Sequence, residues 1–416
     1  MRRFSVACLI AVIAALLSQE ARAEVRAGVA YEAFELPGRV PLAGYSRRHG
    51  KPSAGRHDPV GVRALVLQDG PATAALVSCD LLIVDEHLFE AVRRQLIAQD
   101  LPETLTLVLA ATHTHSGPGA YGKRFLEKIS MGHFDPEVFE AIVDTVARAV
   151  ERAYAELAPV RIAAAAGPTQ GLVKNRVEEA GPTDPELTVL GFYEQTGTSP
   201  LAVVINFAAH PTTLGAWNME LSADYPGVAM RELEQRFPGA VAFFFAGAVG
   251  DQAPVKSGDK FGRAEWIGHA LAERAVALLQ SVQPQAPRGL NARQESLPLP
   301  PAKVRVGRLV LPRWLGGRLV DDDAALSLVV VGQAAFIGVP CDLAASLGGR
   351  LKESARAQGL QPVVVGFAND YIGYCMPASL YEAKQYESSM AFNGPKAGEL
   401  VVEHLLQLLN DVTGHR

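Results

Sequence analysis

The chain has 416 residues, 49% of them hydrophobic and 20% charged, a balance that supports a large buried core and excludes long disorder. Its formal charge of −5 makes the surface mildly acidic, which argues against nucleic acid as a partner. Four cysteines are too few for a disulfide scaffold.

Met1, Arg2 and Arg3 lead into an apolar run over residues 5–17 and then Ala21-Arg22-Ala23, the small-x-small pattern of a signal-peptidase site. Residues 1–23 are therefore expected to be an export signal, placing a mature protein that begins near Glu24 in the periplasm or outside the cell. The run is shorter than the roughly 20 residues that a membrane span needs. Cys8 lies inside the run and not just after it, so no lipid anchor is indicated. Cleavage deletes three arginines and one glutamate and takes the formal charge from −5 to −7. Cys79, Cys341 and Cys375 remain and read as small buried side chains. In an oxidising compartment Cys341 and Cys375 could pair.

Residues 24–416 show no repeat or long linker and are expected to form one domain. Residues 63–67 and 74–78 flank Gln68-Asp69-Gly70-Pro71 as a hairpin that ends at Cys79 and Asp80. A strand over 104–111 runs into Thr112-His113-Thr114-His115-Ser116-Gly117. Asp135 caps a helix opened by Pro136 and Glu137 and continuing over 138–157. A strand over 201–209 meets His210 and Pro211, a helix follows over 226–237, and a strand over 241–249 meets Gly250 and Asp251. A helix over 264–282 precedes a strand over 334–340 that meets Cys341 and Asp342. After a helix over 343–358, a strand over 362–368 meets Asn369-Asp370-Tyr371, and a helix covers 398–409.

Short apolar runs rich in Val, Phe and Ile suit strands covered on both faces. Their alternation with helices predicts an α/β fold, with central, largely buried β-sheets flanked by helices. In such folds a ligand sits beyond the carboxyl ends of the strands. His113, His115, His210, Asp251, Asp342 and Asn369 all fall there and form one candidate site.

His113 and His115 are two apart, so in an extended segment both point to one side, as two ligands or as one ligand and one general base. With His210 and a carboxylate they supply the nitrogen and oxygen donors typical of catalytic zinc, leaving a position for water. His87, His269 and His404 lie in helical or terminal stretches and read as ordinary surface or core residues.

Taken together, the block from Ala111 to Gly119, the strand end from Asn206 to Pro211, Val249 to Pro254, and Asn369 to Tyr374 followed by Tyr386 resemble the neutral (non-lysosomal) ceramidase family. The similarity runs in blocks over about residues 27–394, and the Ala-Thr-His-Thr-His-Ser-Gly-Pro block is the most specific. The resemblance implies hydrolysis of the amide bond of ceramides, with Zn2+ held by two His, one acidic residue and one Tyr. Carried over by motif, these are His113, His210, Asp342 and Tyr374. It also implies roles near the scissile amide for His115, for Arg176 of Lys174-Asn175-Arg176, and for Tyr386.

Three departures stand out. The family's acidic ligand is Glu, whereas Pro340-Cys341-Asp342 offers a shorter Asp, to be met by a backbone shift or replaced by Cys341. The serine of the family's Gly-Asp-x-Ser-Pro is Ala253, which leaves attack to zinc-bound water with His115 as general base or acid. Arg176 or Tyr386 could then stabilise the oxyanion, and Asp251 could orient a histidine. Finally, the larger family members carry a C-terminal immunoglobulin-like domain, for which this sequence has no room.

The reading is a zinc-dependent hydrolase of an amide, N-acyl-sphingosine or another N-acyl lipid. It would touch membrane lipid transiently and need no obligate protein partner. The alternatives are a metal-dependent esterase or lactonase, or a catalytically lapsed binding protein. Residues 309–317 either line an entrance for a lipid tail or form a strand and turn of the core.

Overall fold

Strands that are apolar on both faces need cover on both sides, and this chain supplies it in four layers. The computed structural model describes residues 24–303, 305–306, 309–310, 319–320, 322–381 and 386–414. The export segment expected at 1–23 lies outside them, as do residues 311–317 of the expected entrance.

The first sheet is built from β1 (Arg26–Ala33), β2 (Gly61–Asp69), β3 (Ala72–Cys79), β4 (Thr106–Ala111), β5 (Ala158–Pro168), β6 (Glu186–Glu194), β7 (Pro200–Phe207) and β8 (Val241–Ala246). They lie in the order β8-β7-β6-β5-β1-β2-β3-β4. The second sheet runs β9 (Leu290–Pro298), β10 (Asp323–Val331), β11 (Ala334–Gly338) and β12 (Gln361–Val365) in sequence order.

Alternation along each strand sorts its side chains between layers. Val62, Ala64 and Val66 of β2, with Val203 and Ile205 of β7, join a core shared with the helices α1 (Glu86–Ala98), α3 (Pro136–Ala155), α4 (Asp224–Arg236) and α5 (Gly262–Gln280). The short helix α2 (Phe125–Met131) lies between α1 and α3 in the chain. Leu65, Leu67, Val204, Phe243 and Phe245 point the other way and pack against Val329, Phe336 and Val363 of the second sheet. The outer face of that sheet is closed by α6 (Ala345–Ala357) and α7 (Ala397–Thr413). The cap read at Asp135 is present, its side chain accepting from Glu137 N with Pro136 in the first turn. No helix among the described residues is long and apolar enough to cross a membrane.

Both sheets are mixed. Parallel pairing is confined to β3 with β4, β7 with β8, and β11 with β12. The carboxyl ends of these pairs deliver His113, His210, Asp251, Asp342 and Asn369. They meet because the segment after β12 stitches both outer strands of the first sheet. Gly366 N donates to Ala246 O at 2.8 Å on the β8 side. On the β4 side, Ala111 N donates to Phe367 O at 3.3 Å and Asn369 N to Leu109 O at 2.8 Å.

Asn206 reinforces this seam from inside the core. Its Nδ2 donates to Phe245 O and to Val364 O, each at 2.8 Å, and so ties β7 to the second sheet. Asn206→Ala removes both of these buried hydrogen bonds, and chemical denaturation should show a loss of about 1–3 kcal/mol.

Candidate metal centre

At the end of β4 the chain leaves its ladder. Thr112 N donates to Cys79 O at 2.7 Å, and His113 takes a left-handed φ of 64°. The segment is therefore not the extended one that the His-x-His spacing suggested. A positive φ is costly for a residue with a Cβ, and packing holds it in place. The His113 ring stacks on Phe367 with centroids 3.7 Å apart, and the Thr114 hydroxyl donates to Ser222 O at 2.8 Å. The two imidazoles still converge, with Nε2 atoms 3.3 Å apart. Gly44 leaves room for this, because a Cβ there would lie 2.6 Å from His115 Nδ1.

His113 Nδ1 lies 2.6 Å from Leu82 O, and His210 Nδ1 lies 3.2 Å from Val249 O. A carbonyl only accepts, so each neutral ring carries its proton on Nδ1 and turns the Nε2 lone pair inward. Those two Nε2 atoms are 2.9 Å apart. Lone pairs facing at that distance repel unless a proton or a cation stands between them. Burial holds His113 down to about 3 and pushes His115 and His210 well below the usual imidazole value, so neutral solution does not supply the proton. The donor atoms of His113, His115 and His210 lie within 4.8 Å of one another, and this cluster fits a metal cation.

Asp342 completes the arrangement. Its Oδ1 is 3.8 Å from His113 Nε2 and 3.8 Å from His210 Nδ1, and it accepts no hydrogen bond among the described residues. The other oxygen accepts from the Tyr371 hydroxyl at 2.8 Å. Burial raises the Asp342 carboxyl to about 7 against the pull of Arg176 and Tyr371. Cys341, by contrast, packs with Cys375 in the apolar cluster under α6 and α7, its thiol pushed well up by burial. Both cysteines are free, so the disulfide envisaged between them is not formed.

The Tyr374 hydroxyl accepts from Arg176 Nη2 at 2.9 Å. Arg176 Nη2 also donates to Gly250 O at 2.8 Å, and its Nε lies 3.2 Å from Glu387 Oε1. Tyr386 is 63% exposed, its ring edge-on to Tyr374 at 6.0 Å. His113, His115, His210, Asp342, Tyr371, Tyr374 and Tyr386 all line one cavity of about 310 Å3.

Two expected site residues serve the scaffold instead. Among the described residues Asp251 makes no hydrogen bond or ion pair with a histidine. Its carboxylate accepts from Ala345 N at 2.8 Å, Gln252 Nε2 at 2.9 Å and Asn175 Nδ2 at 3.2 Å, while its carbonyl accepts from Arg176 N at 2.8 Å. It fixes the Arg176 segment and the start of α6, because the strand-end carbonyls of Leu82 and Val249 already occupy the imidazole Nδ1 positions. The Asn369 side chain likewise accepts from Leu109 N at 2.8 Å and belongs to the seam. Ala253 pairs with Lys174 on a short ladder outside the cavity lining.

Tyr371 and Arg48 escaped the sequence reading. Tyr371 sits inside a quoted block but carries no spacing signal of its own. Arg48 is buried and donates to His115 O at 2.6 Å and Ala43 O at 2.8 Å. Nothing in its local sequence marks it.

Comparison with known proteins now adds its weight. Residues 37–261 match the model of the neutral/alkaline non-lysosomal ceramidase N-terminal domain. The chain belongs to that family. This places it among amide-bond hydrolases. The neutral ceramidase of Pseudomonas aeruginosa is 26% identical over 94% of this chain and 72% of its own length. That of Mycobacterium tuberculosis is 28% identical over 51% of this chain and 37% of its own. The crystal structure of the Pseudomonas aeruginosa neutral ceramidase superimposes with a TM-score of 0.83 at 23% identity, covering 94% of this chain and 74% of that one, which shows a shared fold. The ceramidase-family match contains His113, His115, Arg176, His210 and Asp251 but ends before Asp342, Tyr374 and Tyr386.

The depressed imidazoles set a pH dependence. Below the usual value of 6.5 the unfolded chain binds protons that the folded rings refuse, so metal-depleted protein should lose stability as pH falls from 6.5 toward 3. Asp342 acts the other way, its raised carboxyl costing stability as pH rises from 3.8 toward 7, but it is one group against three imidazoles. In thermal or denaturant unfolding across that range, His113→Asn should flatten the slope by up to about 1.4 kcal/mol per pH unit, the value of one proton.

Proposed function

We propose that the chain is an exported, zinc-dependent hydrolase of N-acyl lipids, with N-acyl-sphingosine as the first candidate substrate. The observation that carries this reading is the composition of the cavity. It gathers three imidazoles, a carboxylate and phenols, and its remaining wall is mostly apolar, with Leu82, Ile83, Leu126, Met131, Val320 and Phe392 beside the polar Ser46, Arg124, Glu127 and Ser130. A polar reacting group attached to a long apolar chain matches that division.

Neutral nitrogen with hard oxygen donors is the donor set of zinc, and His113, His210, Asp342 and Tyr374 are the residues to hold it. When bound, the ion would polarise the amide carbonyl and lower the pKa of water to near neutrality.

The chain's own groups account for the remaining steps. His115 is only partly buried, whereas His113 and His210 are fully so, which leaves it the imidazole able to meet substrate. It would take a proton at Nε2 from the attacking water and return it to the leaving nitrogen. Tyr386, at the mouth of the cavity, would donate to the oxyanion as it forms. Burial pushes the Tyr374 hydroxyl well above the usual phenol range, and Arg176, which donates to it, pulls the other way and holds it in place. The apolar wall keeps bulk water from these groups. With Ala253 outside the lining, no side chain from that strand is needed as nucleophile.

Export rests on the sequence of residues 1–23, and amino-terminal sequencing of the secreted protein should begin near Glu24. For the metal, His113→Ala should abolish both bound zinc, read by elemental analysis, and release of fatty acid from a fluorescent N-acylsphingosine. Full hydrolysis by metal-free protein would overturn the zinc reading. Tyr386→Phe should lower kcat by about 10² with little change in KM. Wild-type protein with zinc that cleaves only soluble esters would move the substrate to the esterase class. Zinc with no hydrolysis of any amide or ester would leave a binding protein.

A further inference from the structure

Resting on the lipid-amide reading, we propose that α2 and the turn beside it dock the protein onto an anionic bilayer, bringing the cavity mouth against the lipid surface. The helix exposes what a water-facing helix hides. Glu127 and Met131 are buried, and Leu126 packs against Val320 and Phe392. Phe125 is 64% exposed and Ile129, one turn on along the same face, is 51% exposed. Lys128 stands exposed between them.

The surroundings are basic on a chain that is acidic overall. Arg47, Lys128, Ile129 and His133 line one shallow depression beside α2, and Lys51 is exposed just past it in the same turn. The nearby acids are engaged. Glu86 lies 3.3 Å from an Arg124 nitrogen, and Glu127 Oε2 accepts from Arg124 N at 2.7 Å. Exposed apolar side chains flanked by lysine and arginine are the composition of an interfacial anchor for anionic headgroups.

The same surface continues into the site. Ile129 belongs both to the outer depression and to the cavity wall, where Leu126 and Met131 follow it. An apolar chain leaving a bilayer at α2 would thus meet Ile129, Leu126 and Met131 on its way to the imidazoles. A protein seated on this face would instead cover the entrance that substrate needs.

The test is cosedimentation with phosphatidylcholine vesicles, with and without phosphatidylglycerol, read without any hydrolysis. Wild-type protein should bind the anionic vesicles and release from them as salt is added. Phe125→Ser should weaken binding about tenfold, and Lys128→Glu or Arg47→Glu about fivefold or more. Phe125→Ser should leave hydrolysis of a water-soluble short-chain amide at the wild-type rate. Equal binding to neutral and anionic vesicles, or wild-type binding by Phe125→Ser, would overturn the proposal. A dimer that Phe125→Ser dissociates would overturn it as well, assigning the face to a second copy. Vesicle binding with all these dependences but no hydrolysis of any lipid amide would count against the substrate reading and leave the docking surface standing.

Discussion

Two imidazole nitrogens, each with its lone pair aimed at the other from 2.9 Å, cannot rest in that position on their own. Everything around them works to keep them there. The Leu82 and Val249 carbonyls fix the tautomers, the Phe367 ring fixes one plane, and burial denies the rings a proton. A chain that spends this much structure on a repulsive pair is shaped around a cation. Asp342 Oδ1, aimed at the same point from the second sheet, supplies the negative charge that such an ion would balance.

That convergence explains the architecture. In a sheet of mixed direction, only parallel neighbours deliver their carboxyl ends to one side. The two large sheets hold three parallel pairs, and each one contributes to the centre or to the seam beside it. Gly250 shows how tight the join is. Its amide donates to Leu343 O at 2.8 Å, and a Cβ there would lie 2.6 Å from Asp342 O. The Gly-Asp-Gln-Ala block is thus a brace across the two sheets, with Asp251 anchoring α6 and its carbonyl anchoring Arg176.

The strands that end at the site were legible because both their faces are buried, which writes them as continuous apolar runs. The helices α3 to α7 were legible by period, and α3 by its cap as well, whereas α1 and α2 were not read. β9 was not, since most of its residues are exposed and its sequence alternates weakly. β5 mixes alanines with half-buried positions and gives no clear period. At the site, position after a strand grouped His113, His115, His210 and Asp342 with Asp251 and Asn369, but it could not separate the residues that line the cavity from those that brace it. Hydrogen bonding decides that question, and hydrogen bonding is tertiary. The turn at His113 was missed because two residues of spacing look extended unless the left-handed φ is known.

The donors that face one another come from residues as far apart as His113 and Asp342, on segments belonging to different sheets. The span that identifies the family, residues 37–261, holds all three histidines yet ends before the second sheet begins. Cut at that point, the chain would keep its signature and lose the cover over Leu65, Leu67, Phe243 and Phe245, four large side chains of one face. What the family model matches is therefore half of a closed box. Its three histidines meet Asp342 only when the lid, encoded later in the chain, has folded onto it.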